Sequence, residues 1–463
     1  MGTKWSIVRS SSKQNCFKSS HLFLQGDNLE IMTHHLQPFQ QRVHLAYVDP
    51  PYNTGSDAAA FSYANLVGIE AWVEFMRQRL FALKNILSEN GVIILTIDDE
   101  MMADLKLLCD SIFGRNNFIG SIPIVIKPGG RSNDSFLAVE HEYILLYGKD
   151  VSNLVVNRWP ESEANLSAYK QSDANGRYKL RDFMRTGGHS TPESRPNSFY
   201  CIKFHKSTHA FHTSVSLRNY MEKNNIQTYS SELLKTFVHE ISESMTEEDY
   251  GLVFPIDSEE GYRVWRQTIP SFQNLVNEKM IEVRQMPKKP PSIRIKDYAK
   301  EGVLPRSVWT DSRYDASTYG TKLLKDLIGE NIFSYPKSLH AVMDALNLFL
   351  SKDEDQIVLD MFGGSGTTSH AVIEINRESK RQHQCITLEQ LDYIEDVAFT
   401  RSDLVRQTPQ KKQIENTLLG WTNPNVLIDA YTGSGNELIL AKLVDNGPVD
   451  EDSKEFSNWL QSK

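Results

Sequence analysis

Two short stretches of this 463-residue chain carry residue types that can do chemistry. The first is Asp49-Pro50-Pro51-Tyr52-Asn53-Thr54-Gly55, which follows an apolar run ending at Val48. Two prolines at the end of a buried strand remove two backbone donors, which a central sheet tolerates only where pairing has stopped. The loop is therefore stiff, with Asp49 and the Pro50 carbonyl as fixed acceptors and Tyr52 as a flat aromatic face beside them. Such a turn would hold an exocyclic amine; on the blander reading it is a plain turn with a packing tyrosine. The second stretch is 358–368 (VLDMFGGSGTT). Gly363, Gly364 and Gly366 let the backbone turn tightly and approach a ligand at the carboxyl end of a strand. No lysine follows as in a P-loop, and Ser369 stands where a dinucleotide fingerprint would carry its third glycine. Glu389, 23 residues past Gly366, ends the next apolar run, where a carboxylate accepts hydrogen bonds from both hydroxyls of a ribose. The pair reads as a site for a ribose-bearing ligand, or else as a structural glycine turn.

Both stretches need strands to end where they begin. His21 to Leu24, His44 to Val48 and Gly91 to Ile97 are short apolar runs bounded by Gly, Asp or Pro, and Ile69, Trp72, Val73, Met76, Leu80, Leu83 and Leu87 fall at helical spacing. Buried strands alternating with amphipathic helices predict a parallel α/β sheet. Glu142 to Tyr147 is a further strand, after which the pattern dissolves. From Val151 to about Thr318 the chain is rich in Ser, Asn and Pro, which predicts a separate insert of mixed α+β, with Lys288 to Pro291 as a loop. Helices resume at Lys322 and again over Ala341 to Leu350, and Ile357 to Met361 and Gln384 to Leu388 are two more buried strands. The α/β domain is thus split around the insert. The last sixty or so residues read as a mixed polar tail with an apolar run at Glu437 to Val444 and an acidic cluster near Asp450.

The length suits two or three domains, and 40% hydrophobic with 24% charged residues is an ordinary globular balance. No apolar stretch approaches the ~20 residues that cross a bilayer. The polar start has no secretory h-region, and the fit of Met1, Gly2 and Ser6 to a myristoylation pattern is a chance match. Cys16, Cys109, Cys201 and Cys385 form no CxxC pair, as expected of reduced thiols in a cytoplasmic protein. The net charge of -9 is unevenly spread. Residues 151–320 carry 23 Lys and Arg against 21 Asp and Glu, and the remainder 27 against 38. Arg177 to Arg218 holds eight basic and two acidic residues, and Lys279 to Arg313 nine and four, enough for a basic face.

DPPYNTG together with FGGSGTT resembles the motif pair of S-adenosylmethionine-dependent amino DNA methyltransferases. Their order, catalytic motif first, then a long insert, then the cofactor motif, resembles the β-group permutation of the modification (Mod) subunits of type III restriction-modification systems. The segment 24–29 (LQGDNL) resembles the strand end whose acidic residue, here Asp27, contacts the cofactor adenine. His141 to Gly148 resembles the last strand of the catalytic half. Lys322 to Gly329 with Phe333, Pro336, Lys337 and Ser338 resembles the segment that cups the methionine end of the cofactor. The insert's Arg185 to Gly188 and Arg195 to Asn197 are also similar to that family.

The resemblance implies a circularly permuted, Rossmann-like class I methyltransferase sheet. Residues 1–150 would be its catalytic half, 151–318 an α+β target-recognition domain, 319–400 the cofactor half and 401–463 a C-terminal tail with partner or dimer contacts. Asp49, Pro50, Pro51 and Tyr52 would be catalytic. Asp27, Asp360, Phe362, Gly363, Gly364, Gly366, Thr367, Glu389, Lys322, Pro336, Lys337 and Ser338 would bind S-adenosyl-L-methionine. Arg177, Lys179, Arg181, Arg185 and Arg195 would meet double-stranded DNA. A homodimer and a helicase-nuclease restriction subunit are implied partners; no metal or membrane is. The reaction would be methylation of adenine N6 on a flipped base. Cytosine N4 is the chemical rival, although Asp rather than Ser at position 49 favours adenine. A non-catalytic specificity subunit and an oxidoreductase are rivals from other classes; the second leaves Asp49 to Tyr52 without purpose. His205, His209 and His212 lack an acidic or cysteine partner for a metal, and Asp98-Asp99-Glu100 reads as a helix cap rather than a magnesium site.

Overall fold

Where the chain is a run of Val, Ile and Leu it forms strands buried on both faces, as a parallel sheet requires. The computed structural model describes residues 4–10, 20–53, 68–130, 136–161, 166–208, 210–257, 259, 261–286, 289–300, 302–329, 332–407, 438–444 and 451–461. Cys16, Thr54, Gly55, His209, Lys288 and Asp450 lie outside them. Before the insert come β1 (Lys4–Ser10), β2 (His21–Gln25), β3 (Val43–Val48), β4 (Leu87–Ile97), β5 (Phe118–Val125) and β6 (His141–Gly148). Within the insert are β7 (Gln171–Asp173), β8 (Gly176–Asp182), β9 (Met184–Arg185), β10 (Ile202–His205), β11 (Phe211–Thr213), β12 (Tyr250–Val253), β13 (Val264–Trp265), β14 (Ile281–Met286) and β15 (Lys289–Tyr298). After it come β16 (Ile357–Asp360), β17 (Gln384–Glu389) and β18 (Leu438–Val444).

Nine strands form one sheet in the order β1-β18-β2-β17-β16-β3-β4-β6-β5. The six from β18 to β4 are parallel, while β6 and β5 continue the sheet antiparallel. The two halves of the α/β unit meet at the β16–β3 pair, where Asp360 lies opposite Tyr47. Strand alternation sorts the apolar side chains onto two faces. Leu45, Tyr47, Val92 and Ile94 pack with helices Leu339–Asn347 and Thr367–Ser379. Ala46, Val48, Ile93 and Leu95 pack with helices Ile69–Ile86 and Met102–Phe113. The result is the permuted three-layer α/β architecture that the motif order implied.

Three departures from the expected elements have physical causes. β4 starts at Leu87, directly after its helix, because a register shift between Val43 and Leu45 lets the strand bulge and continue. The apolar run near Val444 is no loose tail: β18 pairs with β2 on one side and β1 on the other. Pro290 and Pro291, expected in a loop, open β15. They are tolerated because that end of the strand pairs only with β14; pairing with β8 begins at Arg294.

The interrupting unit runs from Glu161 to Gly302. Its expected start at residue 151 falls earlier because Trp159 belongs to the sheet unit, where its backbone exchanges hydrogen bonds with Val303 and its ring packs on Trp309. The insert holds a four-stranded sheet (β14-β15-β8-β7), a three-stranded one (β11-β10-β12) and the β13-β9 pair, over a core that includes Phe183, Tyr200, Trp265 and Phe272. It is α+β, with helices Leu217–Lys223, Ser231–Met245 and Ile269–Asn277.

Candidate active site

β3, β4, β16 and β17 all end at one edge of the sheet, and the crevice outside the carboxyl ends of parallel strands is where such folds bind ligands. A cavity of about 620 Å³ opens there. Asp49, Pro50, Pro51 and Tyr52 line one side; Asp360, Phe362, Gly363, Gly364, Thr367 and Glu389 line another; Pro336, Lys337 and Ser338 complete it. Residues some 300 positions apart are thus neighbours.

Each side chain is held by its element. Thr96, near the end of β4, donates to Asp49 Oδ1 at 2.5 Å. The indole of buried Trp72 donates to the Pro51 carbonyl at 2.6 Å, clamping the proline turn from the helix beneath. Among the described residues nothing donates to the Pro50 carbonyl. Asn53 ends the turn with φ +59°, a left-handed conformation that asparagine accepts better than most residues. Glu142 is the second residue of the antiparallel β6, so it stands at the same sheet edge; its Oε2 accepts from the Tyr52 hydroxyl at 3.0 Å and from Lys337 Nζ at 2.7 Å. Lys337 also bonds the Tyr52 hydroxyl and lies 3.2 Å from Asp49 Oδ1.

Burial pushes the Asp49 carboxyl above its usual range and Glu142 adds to this, while Lys337 and Thr96 oppose it. Burial alone would weaken Lys337 as a base, but Asp49 and Glu142 outweigh it and hold the ammonium charged. The Tyr52 phenol is pushed well up by burial and by the same two carboxylates, so it stays neutral.

On the glycine-rich side, Gly364 and Gly366 take φ +48° and +72°, and a Cβ on Gly363 would sit 2.4 Å from Thr387 Cγ2. Glu389 is 2% exposed; its Oε2 accepts from Gly364 N at 3.0 Å and its Oε1 from Gln390 N and Leu391 N at 2.8 and 3.0 Å. The rings of Phe333 and Tyr393, 5.3 Å apart edge to face, also line the cavity. Beneath the loop, fully buried Arg401 donates to Thr367 Oγ1 at 2.9 Å and to Ser365 Oγ at 3.2 Å. A carboxylate fixed by three backbone donors, a bare glycine turn and an aromatic pair fit a nucleoside with its ribose at Glu389 and its base among the rings.

Three expected residues are elsewhere. Gly366 is not part of the cavity wall; a Cβ on it would lie 2.8 Å from Ala398 Cα, so this glycine serves close packing behind the loop. Asp27 caps helix Asn28–His34 through Glu30 N and pairs with Arg79 Nη2 at 2.7 Å, outside the wall of the cavity. Lys322 is exposed and pairs with Asp326 one helical turn on. In the insert, Arg177, Lys179 and Arg181 occupy alternate positions of β8 and so share a face. Lys179 and Arg181 reach the carboxylate of Asp297 at 4.0 and 3.5 Å, Arg185 donates to the Gly188 carbonyl, and Arg195 is exposed. His205 accepts from Ser207 N and Thr208 N in a turn and packs with His212 around Tyr250, and no three His, Cys, Asp or Glu side chains among the described residues are grouped as a metal site. Asp98 accepts from Glu100 N and Met101 N and so ties the turn ahead of helix Met102–Phe113; that helix has Met101 as its N-cap with no side-chain hydrogen bond, so the expected capping stops one residue short. Cys109, Cys201 and Cys385 are free and buried, and no described helix is long and apolar enough to cross a membrane.

Sequence reasoning passed over Trp72, Thr96, Glu142, Tyr393 and Arg401. Trp72 showed only a core periodicity, and Arg401 gave no local signal.

Comparison with known proteins bears on this geometry. A family model described as DNA methylase, covering N6 and N4 methyltransferases, matches residues 43–399. The EcoPI Mod subunit of a type III restriction-modification enzyme from Escherichia phage P1 is 27% identical over 404 residues, 80% of this chain and 57% of that protein. The type II methyltransferase M.KpnI of Klebsiella pneumoniae is 29% identical over 383 residues, covering 80% of each chain. The EcoP15I Mod subunit of Escherichia coli is 29% identical over 413 residues, 81% of this chain and 59% of that one. This chain therefore spans less than two thirds of the length of those Mod subunits.

Proposed function

The chain belongs to the N6/N4 DNA methylase family, and on that premise we propose that it methylates adenine N6 at specific sites in double-stranded DNA, with S-adenosyl-L-methionine as methyl donor. The observation that carries the reading is the meeting of the Asp49 turn and the Gly363 turn in one cavity. When bound, S-adenosylmethionine supplies an electrophilic methyl group. Glu389 would hold its ribose, and Gly363, Gly364 and the Phe333–Tyr393 pair would frame the rest.

The protein's own work is at the amine. The lone pair of an adenine amino group is delocalised into its ring. Asp49 and the Pro50 carbonyl accept its two hydrogens, localise the pair on nitrogen and aim it along one direction. As positive charge develops on that nitrogen, Asp49 stabilises it and takes the departing proton afterwards; a strong base is not needed. The amine is inaccessible inside a duplex, so the base must be flipped out, and stacking on the fixed Tyr52 ring offsets part of the few kcal/mol this costs. Arg177, Lys179, Arg181, Arg185 and Arg195 are the proposed contacts of the recognition unit with DNA. Adenine is favoured over cytosine by Asp49. Similarity to Mod subunits supports a restriction-modification setting, in which a helicase-nuclease subunit and a second copy of the chain are the partners we propose.

The test incubates wild type and Asp49→Ala with labelled S-adenosylmethionine and unmethylated bacterial DNA, then maps modified bases by single-molecule sequencing. N6-methyladenine in one short motif, absent with Asp49→Ala, is the expected result. N4-methylcytosine would transfer the reading to the other base. Donor binding without transfer, with or without the partner subunit, would refute it.

A further inference from the structure

Glu142 has no part in the chemistry described so far, yet it is 6% exposed at the wall of the cavity that holds Asp49. A carboxylate so buried needs compensation, and an isolated one would be strongly disfavoured. Its compensation is Lys337, and Lys337 is shared: one ammonium stands 2.7 Å from Glu142 and 3.2 Å from Asp49. The Tyr52 hydroxyl closes the figure by donating to Glu142. Lys337 is itself placed by backbone packing. Gly320, in the π-helical turn Ser317–Lys322, lies so close under the Pro336 carbonyl that a Cβ there would be 2.3 Å from the oxygen.

We propose that Glu142 is a positioning residue for methyl transfer: it anchors Lys337 midway between two carboxylates, so that Asp49 keeps its acceptor strength and its aim while Tyr52 is locked beneath the target base. This rests on the reading of the site as a methyltransferase centre, and it places Lys337 at the amine end of the cavity rather than the donor end. One ammonium between two carboxylates leaves one negative charge, which opposes the positive charge that grows on the amine. Were Lys337 free to close on Asp49 alone, the carboxylate would lose acceptor strength; were it absent, two buried carboxylates would repel and one would take a proton.

The groups facing Asp49 are Tyr47 from β3, Thr96 from β4, Glu142 from β6, Asp360 from β16, and Lys337 and Tyr52. Tyr47 is pushed well up by burial and stays neutral, and burial drives Asp360 far toward its neutral form. On top of burial, which is the larger cause, Lys337 and Glu142 act on the Asp49 carboxyl in opposite directions.

The experiment follows Asp49 directly. Protein labelled with 13C at aspartate carboxyls is titrated by NMR in wild type, Glu142→Gln and Lys337→Met, with Asp49→Asn for assignment, and kcat is measured against pH alongside. In Glu142→Gln the Asp49 midpoint should fall by about one unit, the acid limb of kcat should move down with it, and kcat at its plateau should drop ~10-fold or more while donor binding holds. In Lys337→Met the midpoint should rise by about one to three units. A purely structural role for Glu142 would lower stability without moving the midpoint in opposite directions. Midpoints that stay in place, or shift the same way in both variants, overturn the inference. If Glu142→Gln loses donor binding through misfolding, Glu142→Asp decides the matter: it keeps the charge but shortens the reach to Lys337, so kcat should fall while donor binding holds, and an unchanged kcat overturns the inference. Wild type that transfers no methyl group sinks the proposed function, while the titration still judges the ion-pair arrangement.

Discussion

Alanine at position 363 should weaken donor binding, and a second substitution two strand positions before Glu389 should restore it. The Cβ added by Gly363→Ala would lie 2.4 Å from Thr387 Cγ2, with Leu388 O next at 3.3 Å and Glu389 Cβ at 3.5 Å. Contacts under 3.0 Å are essentially absent from real packing, so something must move about an ångström. Thr387 cannot yield, because it is 0% exposed on a strand paired on both sides. The glycine turn moves instead and carries Gly364 away from Glu389 Oε2. Overpacking of this kind costs about 1–3 kcal/mol. If that falls on the turn, the dissociation constant for S-adenosylmethionine rises ~5- to 150-fold. Thr387→Ser removes the offending methyl group but keeps the hydroxyl, so the double variant should bind nearly as wild type does, and Thr387→Ser alone should bind normally. Isothermal calorimetry on the four proteins reads all of this. A double variant as weak as Gly363→Ala would refute the steric account, and a normal Gly363→Ala would refute the claim that bare backbone is needed there.

Two other substitutions probe the scaffold. Trp72→Phe keeps the ring in the core but strands the Pro51 carbonyl, a loss of about 1–3 kcal/mol; kcat should fall while donor affinity stays put, and an unchanged kcat in steady-state assays would show that the clamp is idle. Glu378 is raised from 4.5 to about 7 by burial and then by the charges of Glu374 and Asp344. The folded protein thus binds an extra proton between those pH values, so this group makes the protein more stable as pH falls from 8 through 7 and stops doing so near 4.5. Glu378→Gln should therefore stabilise at pH 8 by ~1–2 kcal/mol and make almost no difference at pH 4, as thermal unfolding at both pH values would reveal; an equal effect at the two would contradict it.

What the amino-acid pattern made legible was local. Each central strand declared itself as an apolar run, and each motif as an interruption at the run's end: prolines after Val48, glycines after Phe362. The halves of the cavity were readable because each is one continuous segment. What stayed hidden was convergence. Glu142 stands near the start of a strand running the opposite way to its neighbour, so its place at the carboxyl edge follows from sheet direction, which no spacing encodes. Trp72 has the same apolar signature whether it fills a core or donates to Pro51. Asp27 was read from the motif alone, and nothing local foretold that Arg79, 52 residues on, would occupy it. The prolines of β15 misled because their penalty depends on which side of the strand has a neighbour.

The chain leaves the sheet unit at Trp159 and returns at Val303, and those two residues hydrogen-bond to each other in both directions, 2.9 and 2.8 Å. The 142 residues of the unit Glu161–Gly302 therefore form a loop that is already fastened at its neck. Closing a loop costs entropy that grows only slowly with its length, and here the closure is made by the sheet unit's own backbone. The insert is in this sense a cassette. It can be lengthened or shortened, and the strands that lead to Asp49 and Gly363 feel no difference in tension. If the insert is the recognition unit proposed above, such a chain can change which DNA sequence it reads without renegotiating the proposed transfer of a methyl group.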